Sequence, residues 1–307
     1  MKHARHPLYV FSILTGSAFL LSSIILAVFF RSPHFYTMFA FGFWLVLDWI
    51  DYKLTGWSLL GYFANKKHRD IFVVFFILAT IFCFIIDYLF GVRLYKLWEW
   101  PAYDQVHFIR MYLVMNVTFI MGMYELYRVI RWTVRHVFHK KQLWAIHLAH
   151  PLDIFLWKAA LVTGVTLLAL PVYPLITGND THIEYALGFS FFGMFLIADS
   201  LTFFLGGKTM FGAIARMDNV FFLSILLTII LGAGTTELLN LFAGEWIYTR
   251  MPFDTITIMS IPVFVFLGWI PLIFSSISLI KLIRRLDYVK DHHLLHLENL
   301  KQLRVSN

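Results

Sequence analysis

Residues 41–65, FGFWLVLDWIDYKLTGWSLLGYFAN, lie without a gap on residues 192–216, FGMFLIADSLTFFLGGKTMFGAIAR. Phe41, Gly42, Leu45, Asp48, Leu54, Gly56, Gly61 and Ala64 meet Phe192, Gly193, Leu196, Asp199, Leu205, Gly207, Gly212 and Ala215. A bias towards apolar residues would align Leu with Leu and Phe with Phe, but not an acid and three glycines, so the match points to an internal repeat. It resumes near the next helix end after a one-residue gap. There Asp87, the aromatic run around Trp98 and Pro101 face Glu237, Trp246, Tyr248 and Pro252.

Around these stretches the chain is too apolar for a soluble globule. Hydrophobic residues make up 60% of its 307 positions, aromatic residues 19% and charged residues only 14%. A helix needs roughly 20 apolar residues to cross a bilayer, where no water satisfies unpaired backbone groups. About eight such stretches are expected, at 8–30, 35–54, 71–91, 107–128, 154–177, 184–205, 219–244 and 256–283. The first follows Lys2 and Arg5 but ends in FFRSPHF rather than in a small-residue cleavage site, so it reads as a retained helix.

The expected fold is therefore all-α, a polytopic membrane protein built as two four-helix repeats. An even number of spans per copy makes the repeats parallel rather than inverted. The expected division is 1–135 for the first repeat, 136–153 for a basic connector, 154–285 for the second repeat and 286–307 for a tail. With the N-terminus inside, 20 of the 25 Lys and Arg residues fall on the inner side, which predicts both termini in the cytoplasm of a prokaryotic cell. The net charge of +7 then follows from topology, and no nucleic-acid partner is expected. The expected partners are membrane lipids and other membrane proteins.

Acids inside apolar helices are costly and need a reason. Asp48 and Asp199, at equivalent positions, either approach each other across a central cavity or cap the short turns that follow them. Asp51, matched by Thr202, reads as peripheral. Glu125 reads as a helix-surface partner of Arg128, three residues on. Asp87 and Glu237 stand at the other helix ends, each followed by aromatic residues. Glu237 and Asn240, three apart, share a helix face. Such a cluster either anchors the chain at the membrane interface or holds a proton beside aromatic faces that stabilise a cation.

Ten of the 13 histidines fall on the inner side, with His136 and His139, His147 and His150, and His292, His293 and His296 forming small groups. Neutral imidazole binds iron or zinc well, but the spacings differ from those of desaturase boxes, so no cofactor is expected. Cys83 is the single cysteine and forms no intrachain disulfide.

The stretch 237–272, ELLNLFAGEWIYTRMPFDTITIMSIPVFVFLGWIPL, resembles a pattern in membrane-embedded carotenoid-pathway proteins, the carotenoid hydratases and heterodimer-type lycopene cyclases. Glu237, Trp246, Tyr248, Pro262 and Trp269 carry the resemblance, echoed in the first half by Asp87, Trp98 and Glu125. The Pro-x-Glu-Glu element of the cyclases is absent, since Ile261 and Pro262 are followed by Val263 and Phe264. The resemblance implies acid-assisted hydration or isomerisation of a long apolar lipid or isoprenoid. Glu237 or Asp87 would protonate a double bond, Asn240 would orient the acid or a water, and Trp246, Tyr248, Trp98 and Trp269 would bind the substrate. Two other function classes stand beside this one: a proton-coupled transporter using Asp48 and Asp199, and a non-catalytic membrane subunit.

Overall fold

The computed structural model describes residues 6–102, 104–137, 150–177, 186–215 and 218–305, and is almost wholly helical. Its elements are α1 (His6–Val28), α2 (Phe35–Thr55), short α3 (Leu59–Phe63), α4 (Arg69–Cys83), α5 (Gln105–Arg110), α6 (Asn116–Val137), α7 (His150–Ala169), short α8 (Tyr173–Thr177), α9 (Ala186–Phe204), short α10 (Met210–Ala215), α11 (Asn219–Ala243) and α12 (Val263–Val305). Wide π-helical turns extend α4 over Phe84–Leu94 and join α5 to α6 over Met111–Met115.

Among the described residues, six helical segments are long and apolar enough to cross a membrane: Leu8–Val28, Lys66–Leu94, Phe108–Val137, Ile154–Val172, Asn219–Ala243 and Val263–Lys290. The two other expected spans are helices of different character. The second half of α2 carries Asp48, Asp51 and Lys53, and in α9 the described apolar run, Phe189–Phe204, is shorter than a span. The last span begins later than expected. A hairpin of β3 (Thr257–Ile258) and β4 (Ile261–Pro262), turning through Met259 and Ser260 at positive φ, occupies the positions before Val263. From there α12 runs unbroken to Val305, so the expected boundary at 285/286 lies inside one helix.

Matching glycines set the first helix contact in each half. A Cβ on Gly42 would come within 2.5 Å of Leu20 N on α1, and one on Gly193 within 2.6 Å of Gly164 O on α7. The α1–α2 and α7–α9 pairs therefore pack backbone to backbone, as small residues allow in apolar surroundings. The buried core runs from Phe35, Phe39 and Phe75 through Met115 and Met123 to Ile273 and Ile280, and joins both halves through α6, α11 and α12.

Asp48 and Asp199 take the second of their two expected roles. Asp48 Oδ1 accepts from Leu60 N (2.7 Å) at the start of α3. Asp199 accepts from Met210 N (2.8 Å) and Phe211 N (2.7 Å) at the start of α10. Ser58 and Thr209 complete the two caps by accepting from Gly61 N (3.1 Å) and Gly212 N (3.0 Å). A helix start leaves amides without intrahelical partners, and a buried one needs acceptors supplied from outside.

Two acids depart from expectation. Glu125 is fully buried rather than on a helix surface, and accepts from Leu59 N (2.6 Å), so it shares the α3 cap with Asp48. Asp51 is fully buried rather than peripheral, and pairs with Arg128 Nε at 2.5 Å. Arg128 and Arg284 both lie against the Trp57 ring, their guanidinium carbons 4.2 and 4.3 Å from its centroid.

Introducing a β-branched side chain at either close glycine forces the paired helices apart. Gly42→Val and Gly193→Val are each expected to cost about 1–3 kcal/mol, read as a lower unfolding temperature of the purified protein in detergent. The same substitution at Gly234, where an added Cβ meets nothing within 4 Å, should leave that temperature unchanged.

Candidate functional site

The ends of α4 and α11 that carry Asp87 and Glu237 converge on one cavity of about 170 Å³. Its wall is mainly apolar and aromatic, from Phe82, Ile86, Phe119, Phe191, Phe264 and Leu272 among others, and it includes Asp87, Glu237, Trp98, Trp246, Tyr248 and Trp269. Six of the nine residues singled out from sequence are thus brought together. Asp48, Asp199 and Asn240 are not on this wall.

Glu237 is built into place by the turn that ends α11. Gly244, at φ 64°, donates its N–H to Asn240 O (2.7 Å) and turns the chain back. The Asn240 side chain then holds the returning strand at both backbone groups of Trp246: Nδ2 donates to its carbonyl (2.9 Å), and Oδ1 accepts from its N–H (3.1 Å). This corrects the expected role of Asn240. With both ends of its amide engaged by Trp246, it fixes the loop rather than orienting Glu237 or a water.

The loop so fixed delivers a relay. Trp246 Nε1 donates to the Tyr248 hydroxyl (2.9 Å), which donates to Glu237 Oε1 (2.7 Å). Trp269 Nε1, from α12, donates to the same oxygen (3.0 Å). Glu237 is 1% exposed, and its Oε2 has no hydrogen-bond partner. An unpaired carboxyl oxygen is costly in such surroundings, and of the described acids that have one, Asp48, Glu125, Asp287 and Glu237, only Glu237 lines the cavity. Burial lifts the Tyr248 phenol well above its usual range. The phenol therefore remains a donor at any physiological pH.

Asp87 has a matching set of donors from the first half. Tyr112 donates its hydroxyl to Asp87 Oδ2 (2.6 Å), and the side chains of Trp98 and Asn116 also hydrogen-bond to Asp87. Asp87 lies in one wide-turned helical segment and Tyr112 in the other. Such segments are rare and cluster at functional sites. Gly91 makes room for Trp98, because a Cβ there would run into the indole ring.

The two halves of the site are tied together by β1 (Trp98–Glu99) and β2 (Ile247–Tyr248), which pair antiparallel with Trp98 opposite Tyr248. The partner of one acid is thus in register with the partner of the other. Thr249 N–H adds a bond to Leu97 O (2.9 Å).

Sequence reasoning missed several contributors. Tyr36, Trp100, Asn116 and Gly268 line the cavity, and Tyr36 lies edge-on to Trp246 at 5.5 Å between ring centroids. Glu245, fully buried, accepts from Tyr36 N (2.8 Å) at the start of α2 and so sets the position of that ring. Its place directly before Trp246 in GEWIY was the available signal. Glu125, grouped with Asp87 by the resemblance, belongs instead to the α3 cap at the other end of α2.

Of the histidines, His136 stacks on Trp132 (3.8 Å) and bonds its carbonyl through Nδ1 (2.7 Å). His139 and His147 lie outside the described residues, as do the side chains of His150, His292, His293 and His296. Among the described residues no group of three or more His, Cys, Asp or Glu is placed to hold a metal ion.

Comparison with known proteins finds no matching family model, no matching curated sequence and no matching solved structure.

Gly268 lines the cavity, and an added Cβ there meets nothing within 4 Å. Gly268→Phe should fill the cavity while the fold persists. Energy transfer from the site tryptophans to a conjugated polyene fatty acid is expected to fall at least tenfold in this variant and to stay at the wild-type level in Gly234→Phe.

Proposed function

We propose that the chain is an integral membrane enzyme of eight spans, two parallel four-helix repeats with both termini in the cytoplasm, which protonates a double bond of a long apolar lipid or isoprenoid. The observation that carries this is Glu237. It lines an apolar cavity, is held through one oxygen by Tyr248 and Trp269, and keeps its second oxygen free of partners.

A carboxyl in that position can deliver a proton, and the aromatic faces around it can stabilise the cation that results. Trp100 lies 5.2 Å from Trp246, and Phe119 5.5 Å from Trp269, so the ring system is continuous around the acid. The cavity compares with one of about 150 Å³ that accommodates a benzene molecule. It takes a reacting segment of a few carbons, with the rest of a long chain outside it.

The twin caps of α3 and α10 and the twin glycine contacts of α1–α2 and α7–α9 support the repeat. The excess of Lys and Arg on one side supports the orientation. Asp48 and Asp199 hold backbone amides, which draws support away from a proton path between them.

Glu237→Gln preserves shape and removes the transferable proton. Expressed in place of the native protein, it should change the membrane lipid or pigment profile by mass spectrometry as fully as deletion of the gene does. A profile identical to that of the native strain would sink the proposal.

A further inference from the structure

Glu237 is one of two buried acids on the cavity, and Asp87 enters from the other half of the chain. Building on the proposed protonation, we infer that the reaction is migration of a carbon–carbon double bond, with Glu237 as the acid and Asp87 as the base. The substrate class is an unsaturated apolar lipid that carries a C–H bond next to its double bond.

Both acids accept hydrogen bonds from ring side chains, and what sets Glu237 apart is its second oxygen. Glu237 is 1% exposed and keeps Oε2 without a hydrogen-bond partner, a place for a transferable proton. Asp87 receives donors from Tyr112, Trp98 and Asn116, and neither of its oxygens is left buried and unpaired, a setting that suits a carboxylate. Trp98, beside Asp87, pairs in register with Tyr248, beside Glu237, and both carboxyls border the one cavity.

Hydration would need a water held against the cation. The amide that sequence offered for that task, Asn240, is engaged at both ends by Trp246 and is absent from the cavity wall. On the wall, the Asn116 amide bonds Asp87, and Thr236 Oγ1 donates to Gly232 O (2.8 Å). An apolar, aromatic-lined space of this size favours loss of a proton from the cation over capture of water.

The steps balance without a co-reactant. The O–H bond of Glu237 breaks, and its proton bonds to one alkene carbon using the π pair, which leaves a cation on the other carbon. A neighbouring C–H bond then breaks, its proton passes to Asp87, and its electron pair forms the new double bond. The product has the formula of the substrate. Proton exchange with water, loss from Asp87 and gain at Glu237, restores the starting state.

The test uses full-length protein in vesicles made from the lipid extract of cells that lack it, followed by chromatography and mass spectrometry. A lipid should be replaced by another of identical elemental composition and different retention, carrying one added deuterium when the reaction runs in D₂O and no label from ¹⁸O-water. Asp87→Asn should slow this conversion at least 100-fold, in line with the typical contribution of a general base. Glu237→Gln should abolish it. Gain of the mass of a water, with ¹⁸O incorporated, would overturn double-bond migration while leaving protonation by Glu237 intact. Full activity of Asp87→Asn would overturn the role of Asp87. No conversion by the native protein would remove the protonation reading together with this one.

Discussion

Backbone amides left open at a helix start must find an acceptor, and in a water-poor interior this protein supplies carboxylates. Asp48 and Glu125 serve α3, Asp199 serves α10, and Glu245 serves α2. Glu125 and Glu245 join segments distant in sequence, 66 residues apart for Glu125 and Leu59 and 209 for Glu245 and Tyr36. The helices could not turn back inside the core without them, since an unpaired buried amide costs as much as a lost hydrogen bond. Against this background Asp87 and Glu237 stand apart. Their partners are indole, phenol and amide side chains, and both face a cavity. Buried acids that support the fold are thereby separated from those free to react.

The two halves use the same device with different parts. In the second half Asp199 takes both amides of the α10 start, with Ser278 of α12 3.5 Å from its Oδ1. In the first half the two amides are divided between Asp48 on α2 and Glu125 on α6. That arrangement places a third acid, Asp51, close by, and Arg128 offsets part of the charge. The stacking of Arg128 and Arg284 on Trp57 closes this cluster from the side. Breaking a buried ion pair from one side is more damaging than never having had it, so the cluster is expected to tolerate paired changes better than single ones.

Much of this was legible in the residues. The ungapped match of 41–65 with 192–216 picked out the acids, the glycines and the short helices whose geometry proves alike in the two halves. The aromatic runs after Asp87 and Glu237 marked the two strands that pair over the site. Other features depend on distant packing and leave no local trace. Glu125 sits three residues from Arg128 and so looks like any surface pair, yet α2 and α3 bury it. Asn240 shares a helix face with Glu237, but the left-handed turn at Gly244 brings Trp246 back over its amide first. Wide helical turns have no composition of their own, so Tyr112 and Asn116 could not be assigned to Asp87 in advance.

A one-residue shift and a wide turn lie close together in the first half of the chain. The halves match without a gap up to residue 65, yet Asp87 meets Glu237 only when the first half is allowed one residue more. The extra residue falls in the connection at 66–68, since α4 begins at Arg69 and α11 at Asn219, while the wide segment Phe84–Leu94 takes more residues per turn than an α-helix. A residue in such a turn advances by less than the roughly 100° of an α-helix, and Asp87, in the first turn of the segment, faces the cavity. Asp87 and Tyr112, one on each wide-turned segment, thus meet at the cavity wall through a 2.6 Å hydrogen bond.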